Sequence, residues 1–121
     1  MTAISRKDNP QLVKLIFDLK AMSREHKAPV WRTVAVKLER PDRSWSEVNV
    51  SKIARFAKEG EMLVVPGKLL GSGIITFGVT VAAFKASAQA RKKIEAAGGR
   101  SYSIRELASR NPSGAGIRIM G

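Results

Sequence analysis

The chain has 121 residues, 44% of them hydrophobic, and carries 22 Lys or Arg against 10 Asp or Glu, a formal charge of +12. This length and composition fit one globular domain with a modest core and exclude an intrinsically disordered chain. The positive charge is spread over both halves, since residues 1–60 hold 13 cations against 7 anions and residues 61–121 hold 9 against 3. We therefore expect a basic folded body with a polyanionic partner.

Other classes of protein are excluded by residues that the sequence lacks. Without cysteine, neither a disulfide framework nor a thiolate zinc site can form. The single histidine, His26, lies among charged residues and is predicted to end a solvated helix rather than to bind a metal. No apolar stretch approaches the ~20 residues of a membrane span, and no leader opens the chain. We predict a cytoplasmic protein without metal, cofactor or membrane partner.

Two helices are predicted near the start of the chain, after a short basic arm over residues 1–8. Asn9 and Pro10 are typical of a helix start, because the asparagine caps the first turn and proline has no N–H to lose there. The first helix has one apolar stripe, formed by Leu12, Leu15, Ile16, Leu19 and Met22. Pro29 begins a second helix, whose inward face is formed by Trp31, Val34, Ala35 and Leu38.

A tryptophan and a row of cations follow these helices. Trp45 closes a loop that contains Arg40 and Arg43, and it either stacks on a nucleotide base or packs at the core edge with its N–H bound to a carbonyl. Residues 47–50 are predicted to form a strand leading into a helix over residues 51–58. Its inward side chains are Ile53, Phe56 and Ala57, and its outward ones are Lys52, Arg55 and Lys58. At a spacing of three, these cations suit a row of phosphates or form a plain solvated face.

A glycine-lysine loop follows the next strand. Residues 62–65 are predicted to form a buried strand that Pro66 and Gly67 close with a tight turn, which places Lys68 at the strand exit. Gly71 and Gly73 follow, where the backbone can approach a partner closely. The loop is either an ordinary connection or a phosphate site made of Lys68 and backbone N–H groups. It does not match the nucleotide-binding P-loop, because leucine follows the lysine.

The rest of the chain alternates strands with helices. Residues 79–84 are predicted to form a strand, Ser87 caps a helix over residues 87–97, and Gly98-Gly99 ends it. Ser103 and Glu106 have the spacing of a capping box, and residues 117–119 alternate as an edge strand does. Because a strand precedes a helix three times, the sequence predicts an α/β fold with crossover connections.

Several separated segments resemble one known family. Residues 65–73 (Val-Pro-Gly-Lys-Leu-Leu-Gly-Ser-Gly), 79–84 (Val-Thr-Val-Ala-Ala-Phe) and 94–99 (Ile-Glu-Ala-Ala-Gly-Gly) are similar to the archaeal and eukaryotic large-subunit ribosomal protein of the L-eighteen-e type. That family shares a core with the bacterial L-fifteen proteins. Residues 28–32, 45–49 and 116–121 resemble it too, so the resemblance covers the chain from about Lys7 onward. The compact chain looks archaeal rather than eukaryotic.

The resemblance implies both a fold and a role. The fold is α/β, a single compact domain of short strands alternating with helices in an irregular strand-strand-helix winding, preceded by two N-terminal helices. The role is that of a structural constituent of the large ribosomal subunit, in which residues 9–121 form one domain that binds ribosomal RNA and stabilises its fold and assembly. Neighbouring ribosomal proteins are further partners. Residues 74–77, Ile-Ile-Thr-Phe, are more apolar than this family leads us to expect, so that loop reaches either RNA or protein.

Two alternatives differ from this role. A stand-alone RNA- or DNA-binding regulator shares the same electrostatics and differs in location. A small phosphate-handling enzyme would use the Lys68 loop, but the sequence shows no cluster of nucleophile, general base or metal ligands, so we predict no enzyme and no small-molecule substrate. The residues expected to bind RNA are Arg6, Lys7, Lys27, Arg32, Arg43, Trp45, Lys52, Arg55, Gly67, Lys68, Gly71, Gly73, Lys85 and Arg118.

Overall fold

The computed structural model describes residues 9–121, apart from the side chain at position 42. In that part the helices are α1 (Pro10–His26), α2 (Pro29–Leu38), α3 (Val50–Phe56), α4 (Ala88–Ala96) and α5 (Ile104–Arg110). The strands are β1 (Ser46–Asn49), β2 (Met62–Leu70), β3 (Thr80–Ala86), β4 (Arg100–Ser103) and β5 (Ile117–Ile119). The predicted basic arm, with Arg6 and Lys7, lies outside the described residues.

Local capping signals set the helix starts, as the sequence predicted. The Asn9 side chain accepts a hydrogen bond from the Leu12 N–H at 3.2 Å, and Ser87 accepts one from the Ala90 N–H at 3.1 Å. Ser103 and Glu106 form the predicted capping box at the start of α5. The Ser103 N–H donates to the Glu106 carboxylate at 2.8 Å, and this bond is the main reason that the pKa of Glu106 lies below its ordinary value.

The strands form one parallel sheet, which confirms the predicted α/β class. Its order is β1-β2-β3-β4, and β5 pairs with β2. Both β1 and β5 lie along the same edge of β2: β1 pairs with its residues 67–70 and β5 with its residues 62–64. The terminal strand is therefore an edge strand, as its alternation predicted.

Two apolar clusters lie on opposite faces of this sheet. One contains the buried faces of α1, α2 and α5 together with Val64 and Ala82, and Trp31 is fully buried within it. The other contains Leu63 and Val65 packed against α3 and α4. Successive β2 residues enter alternate clusters because side chains along a strand point to opposite faces. The fold is thus a three-layer sandwich, and the predicted apolar faces of α1 and α2 are confirmed.

The prediction of a turn at Pro66 and Gly67 is wrong. Strand β2 continues through both residues to Leu70, so Lys68 lies within the strand and not at its exit. The pairing of β2 with β3 shifts register between Val65 and Lys68, an irregularity that accommodates a proline without an N–H inside a strand. Gly67 is buried, and a Cβ there would overlap the carbonyl oxygen of Ser46 on β1.

The helix after β1 is shorter than predicted. Helix α3 ends at Phe56, and Ala57 already has extended backbone angles. Lys58 therefore lies beyond the helix, and the predicted helical row of three cations is reduced to Lys52 and Arg55. Phe56 was predicted to point inward, but its side chain is 55% exposed. The helical spacing that suggested an inward phenylalanine holds only while the helix continues.

A nine-residue loop, residues 71–79, joins the parallel strands β2 and β3 without a helix. Parallel neighbours generally need a crossover of a dozen or more residues, usually helical. Here the loop packs its own apolar side chains: Ile75 is buried and Phe77 packs against the second cluster. Ile74 points outward and is 78% exposed. The apolar loop noted in the sequence is therefore mainly a cover for the core.

We predict that Gly67→Ala lowers the free energy of unfolding by roughly 2–3 kcal/mol, because β1 must move away from β2 to admit the methyl group. Urea denaturation measures the change. Gly71→Ala is the matched control, because its Cβ meets the Gln89 side chain, the nearest atom being Oε1 at 2.7 Å, and a surface side chain can rotate away. Equal costs for the two variants would contradict this account of the β1–β2 contact.

Candidate nucleic-acid interface

Cations on the outer side of α1, α2 and α5 are largely compensated. Asp18 accepts from Arg105 at 2.9 Å and pairs with Lys14 at 3.5 Å, while Lys20 pairs with Glu39 at 2.8 Å. The Arg105 hydrogen bond is the main reason that the pKa of Asp18 lies below its ordinary value, with partial desolvation opposing it and the charge on Lys14 adding to it. This layer uses much of its positive charge within the fold.

The opposite layer carries positive charge without such partners. Helices α3 and α4 hold five Lys or Arg residues and one carboxylate, Glu95. Four of these cations, Lys52, Arg55, Arg91 and Lys92, are exposed, and none forms an ion pair with a carboxylate in residues 9–121. We call these four side chains the cationic face. They lie on helices that pack side by side on the same face of the sheet.

Arg118, a predicted RNA contact, holds the sheet edge to the end of α3. Its Nε lies 2.9 Å from Glu61, and its Nη2 donates to the Phe56 carbonyl oxygen at 2.6 Å. The guanidinium thus satisfies a helix-terminal carbonyl and neutralises a carboxylate at once. The prediction treated Arg118 as a free cation, and that part of it is wrong.

Trp45 packs in the core and does not present its ring to a base. It is only 8% exposed, its ring meets Phe84 edge to face at a centroid distance of 5.1 Å, and its Nε1–H donates to the Arg40 carbonyl at 3.1 Å. Of the two interpretations left open by the sequence, core-edge packing is correct. Stacking on RNA is excluded because the ring faces are buried.

The glycine loop is a structural tie and not an open cradle of N–H groups. Lys93 on α4 donates to the carbonyl oxygens of Gly71 and Gly73, at 2.6 Å each. The N–H of Ser72 donates to Asn49 at 3.1 Å, and its carbonyl accepts from Ser51 at 3.0 Å. Gly73 has a φ of +104°, which favours glycine. The loop joins the β1–α3 junction to α4.

The remaining candidates are divided among different surfaces. Lys68 and Lys85 are register partners on β2 and β3, in the same row as Glu47 of β1. Lys27 lies at the end of α1 and Arg32 on α2, both exposed, and Arg43 lies in the 3₁₀ turn before β1. The sequence-predicted set is therefore not one continuous patch, and only its members Lys52 and Arg55 belong to the cationic face.

Sequence reasoning missed two kinds of residue. Arg91 and Lys92 were seen as outward but were not chosen, because three consecutive cations gave no way to separate them. The structure separates them: Lys93 turns to the loop, while Arg91 and Lys92 remain exposed. Phe56 was missed because its exposure depends on where α3 ends.

Neither a metal site nor a membrane span is found in the part of the chain that the structure describes. Within residues 9–121, no three His, Asp or Glu side chains come together in an arrangement able to bind a metal ion. No helix in the same range combines the length and apolarity that a membrane span requires.

The fold and the surface together define a small basic protein of the three-layer, parallel α/β class. A family model for the ribosomal proteins 50S-L15 and 50S-L18e and their 60S counterpart matches residues 47–101, from β1 into β4. A protein of Methanospirillum hungatei is 49% identical over 120 residues, and one of Methanoregula boonei is 47% identical over 120, each match covering 99% of both chains. One of Archaeoglobus fulgidus is 52% identical over 115 residues, covering 95% of this chain and 98% of its own.

All three relatives are named large ribosomal subunit protein eL18. This chain belongs to the eL18 family of ribosomal proteins. The resemblance recognised in the sequence is thereby confirmed, including its archaeal character. The relatives carry the name of a ribosomal protein and not of an enzyme, in agreement with the prediction that the chain is not an enzyme.

We predict that Lys93→Met loosens the glycine loop, since the carbonyl groups of Gly71 and Gly73 lose a charged donor. The expected loss is about 1–3 kcal/mol in the free energy of unfolding. Amide hydrogen exchange over residues 71–77 should also become faster. Lys92→Met is the control, because it removes the same charge from an exposed neighbour. If both variants change stability and exchange equally, the lysine tie does not hold the loop.

Proposed function

We propose that this protein is a structural constituent of the large ribosomal subunit, in the cytoplasm, and binds large-subunit ribosomal RNA. Its relatives' names support the location, and their matches span nearly the full chain. Neighbouring ribosomal proteins are part of the same proposal, because a protein within the particle contacts both.

The unequal pairing of charges on the two helical layers carries the RNA-binding part of this proposal. On the α1, α2 and α5 layer, Asp18 and Glu39 occupy three of the cations. On the α3 and α4 layer, the four side chains of the cationic face meet no carboxylate of residues 9–121 within ion-pair distance. Like charges on neighbouring turns repel, so this arrangement costs stability unless an external anion is present. A phosphate backbone supplies such anions at regular spacing.

The mechanism is electrostatic and involves no chemical step. Each phosphate that a Lys or Arg neutralises releases a condensed counterion, and this release favours binding at low salt. Arginine can contact phosphate oxygens with two N–H groups, whereas lysine acts as a point charge. The cationic face is the main contact in our proposal. Further contacts are proposed at Lys27, Arg32, Arg43, Lys68 and Lys85, and from Arg6 and Lys7 in the N-terminal arm.

Four sequence-predicted residues are left out of the proposed interface for physical reasons. The Trp45 ring is buried, Gly67 lies inside the sheet, and the Arg118 guanidinium is engaged by Glu61. Gly71 is buried beneath the Gln89 side chain.

Gly73 stays in the proposed interface only through its partly exposed backbone. Its carbonyl oxygen is already bound to Lys93, so any contact with a phosphate would be made through the N–H group.

The location is tested by where the protein is found in its own cells. We expect the native protein to sediment with large ribosomal subunits after a high-salt wash, because a protein held by many contacts in a particle does not exchange readily. The measurement is a sucrose gradient with antibody detection. Recovery mainly in the soluble fraction would instead favour the alternative of a regulator outside the ribosome.

The interface is tested by salt dependence. For a fragment of large-subunit RNA, we expect log affinity to fall against log salt with a slope steeper than about −4. The double variant Lys52→Glu/Arg55→Glu should bind more weakly and make the slope shallower by at least about 1.5, since two phosphate contacts are lost. Filter binding at several salt concentrations gives both quantities.

The matched control for that variant is Arg24→Glu/Arg40→Glu. It makes the same change in net charge with two exposed residues, one in α1 and one just after α2. We expect its slope to equal that of the unmodified protein. Equal slopes for both double variants would mean that net charge, and not the cationic face, governs binding.

A further inference from the structure

The exposed phenylalanine at the end of α3 stands among cations. Phe56 is 55% exposed, and the Arg55 guanidinium lies over its ring, 5.7 Å from the centroid. Lys52 is one turn before it on the same helix, and Lys58 is two residues after it. An isolated exposed apolar residue needs no explanation. An aromatic ring within a group of uncompensated cations is the composition of surfaces that bind single-stranded nucleic acid.

These side chains share one concave surface. Ser51, Lys52, Ala54, Arg55 and Phe56 line an open hollow of about 620 Å³ on the outer side of α3. Ser51 and Arg55, like Lys52 and Phe56, are four residues apart and therefore lie on one side of the helix. A planar group that enters this hollow meets an aromatic ring and two positive side chains together.

The backbone that carries the ring is held in place. Arg118 binds the Phe56 carbonyl oxygen at 2.6 Å and is itself paired with Glu61, whose other carboxylate oxygen accepts from the Lys58 N–H at 3.0 Å. This network fixes the end of α3 against β5 and the start of β2. A ring on a fixed backbone loses less conformational entropy on binding than a ring on a mobile loop.

From this arrangement we propose that Phe56 is a stacking platform for one unpaired base of RNA, flanked by phosphate contacts to Lys52 and Arg55. This inference rests on the proposed RNA-binding function and adds its ligand class: a bulged, looped or single-stranded nucleotide. Bases held in a duplex do not expose their faces, whereas unpaired bases stack on aromatic side chains and arginine planes. Stacking tolerates any base because each has a π-face.

A nucleotide suits this site better than an apolar protein surface. A protein pocket that buried the Phe56 ring would also desolvate Lys52 and Arg55, at a cost that only added carboxylates would offset. A nucleotide brings its own negative phosphate to the same place as its base. One carboxylate, Glu59, is exposed nearby, and it opposes the three positive residues around the ring.

The test compares two RNA hairpins, one fully paired and one with a single bulged 2-aminopurine, bound to the full chain. The unmodified protein should prefer the bulged hairpin, with a change in 2-aminopurine fluorescence on binding. Phe56→Ala and Phe56→Leu should each weaken binding of the bulged hairpin by about 5- to 100-fold, the range typical of a lost base-stacking contact. Phe56→Tyr should retain it. The salt slope should stay unchanged in all three variants, because stacking releases no counterion.

Controls separate this inference from the proposed function. Phe17→Ala removes a 66% exposed phenylalanine from α1, and it should leave the preference for the bulged hairpin intact. Thermal unfolding of each variant checks that the fold is retained. If the protein binds both hairpins and Phe56→Ala keeps the preference, stacking at Phe56 is disproved and the RNA-binding function remains. If Phe56→Leu binds as well as Phe56→Tyr, the site is an apolar contact, which overturns the proposal. Failure to bind either hairpin refutes both.

Discussion

Strand β2 is the element on which the remaining structure depends, because it is buried on both faces and pairs with three other strands. Its residues enter the two apolar clusters in turn, Leu63 and Val65 on one side and Val64 on the other. The close approach of β1 requires a residue without a side chain at position 67, and the register shift near Pro66 lets the strand continue past a residue that cannot donate a hydrogen bond. Helices on both layers are positioned by this one strand.

The two layers use positive charge differently. On the α1, α2 and α5 layer, Arg105 and Lys20 bind Asp18 and Glu39, and these ion pairs connect elements distant in sequence. Exposed ion pairs of this kind contribute little to stability, but they neutralise the surface. On the α3 and α4 layer, the exposed cations have no such partners among the described residues, so the field of the molecule is concentrated there. A net charge of +12 is thus directional, although its distribution along the chain is even.

Three cationic residues of the same broad type have three different uses. Lys93 binds two loop carbonyls, Arg118 joins a helix end to a carboxylate, and Arg55 lies over an exposed ring. Each use follows from what surrounds the charged head. Where carbonyl or carboxylate oxygens are near, the cation supports the fold; where only solvent and a ring are near, it is available to an external anion.

The sequence by itself determined the class of fold, the helix starts, the apolar faces of α1 and α2 and the family. These features depend on residues a few positions apart, such as the Ser103–Glu106 capping box and the periodic stripe that begins at Leu12. Tertiary structure decided which candidate residues are available for binding. Arg118 meets Phe56 across 62 positions, Lys93 meets Gly71 across 22, and Trp45 meets Phe84 from another strand. No local pattern encodes such contacts, because they exist only after the sheet has brought the strands together. For the same reason the exposure of Phe56 became visible only when the structure placed the end of α3.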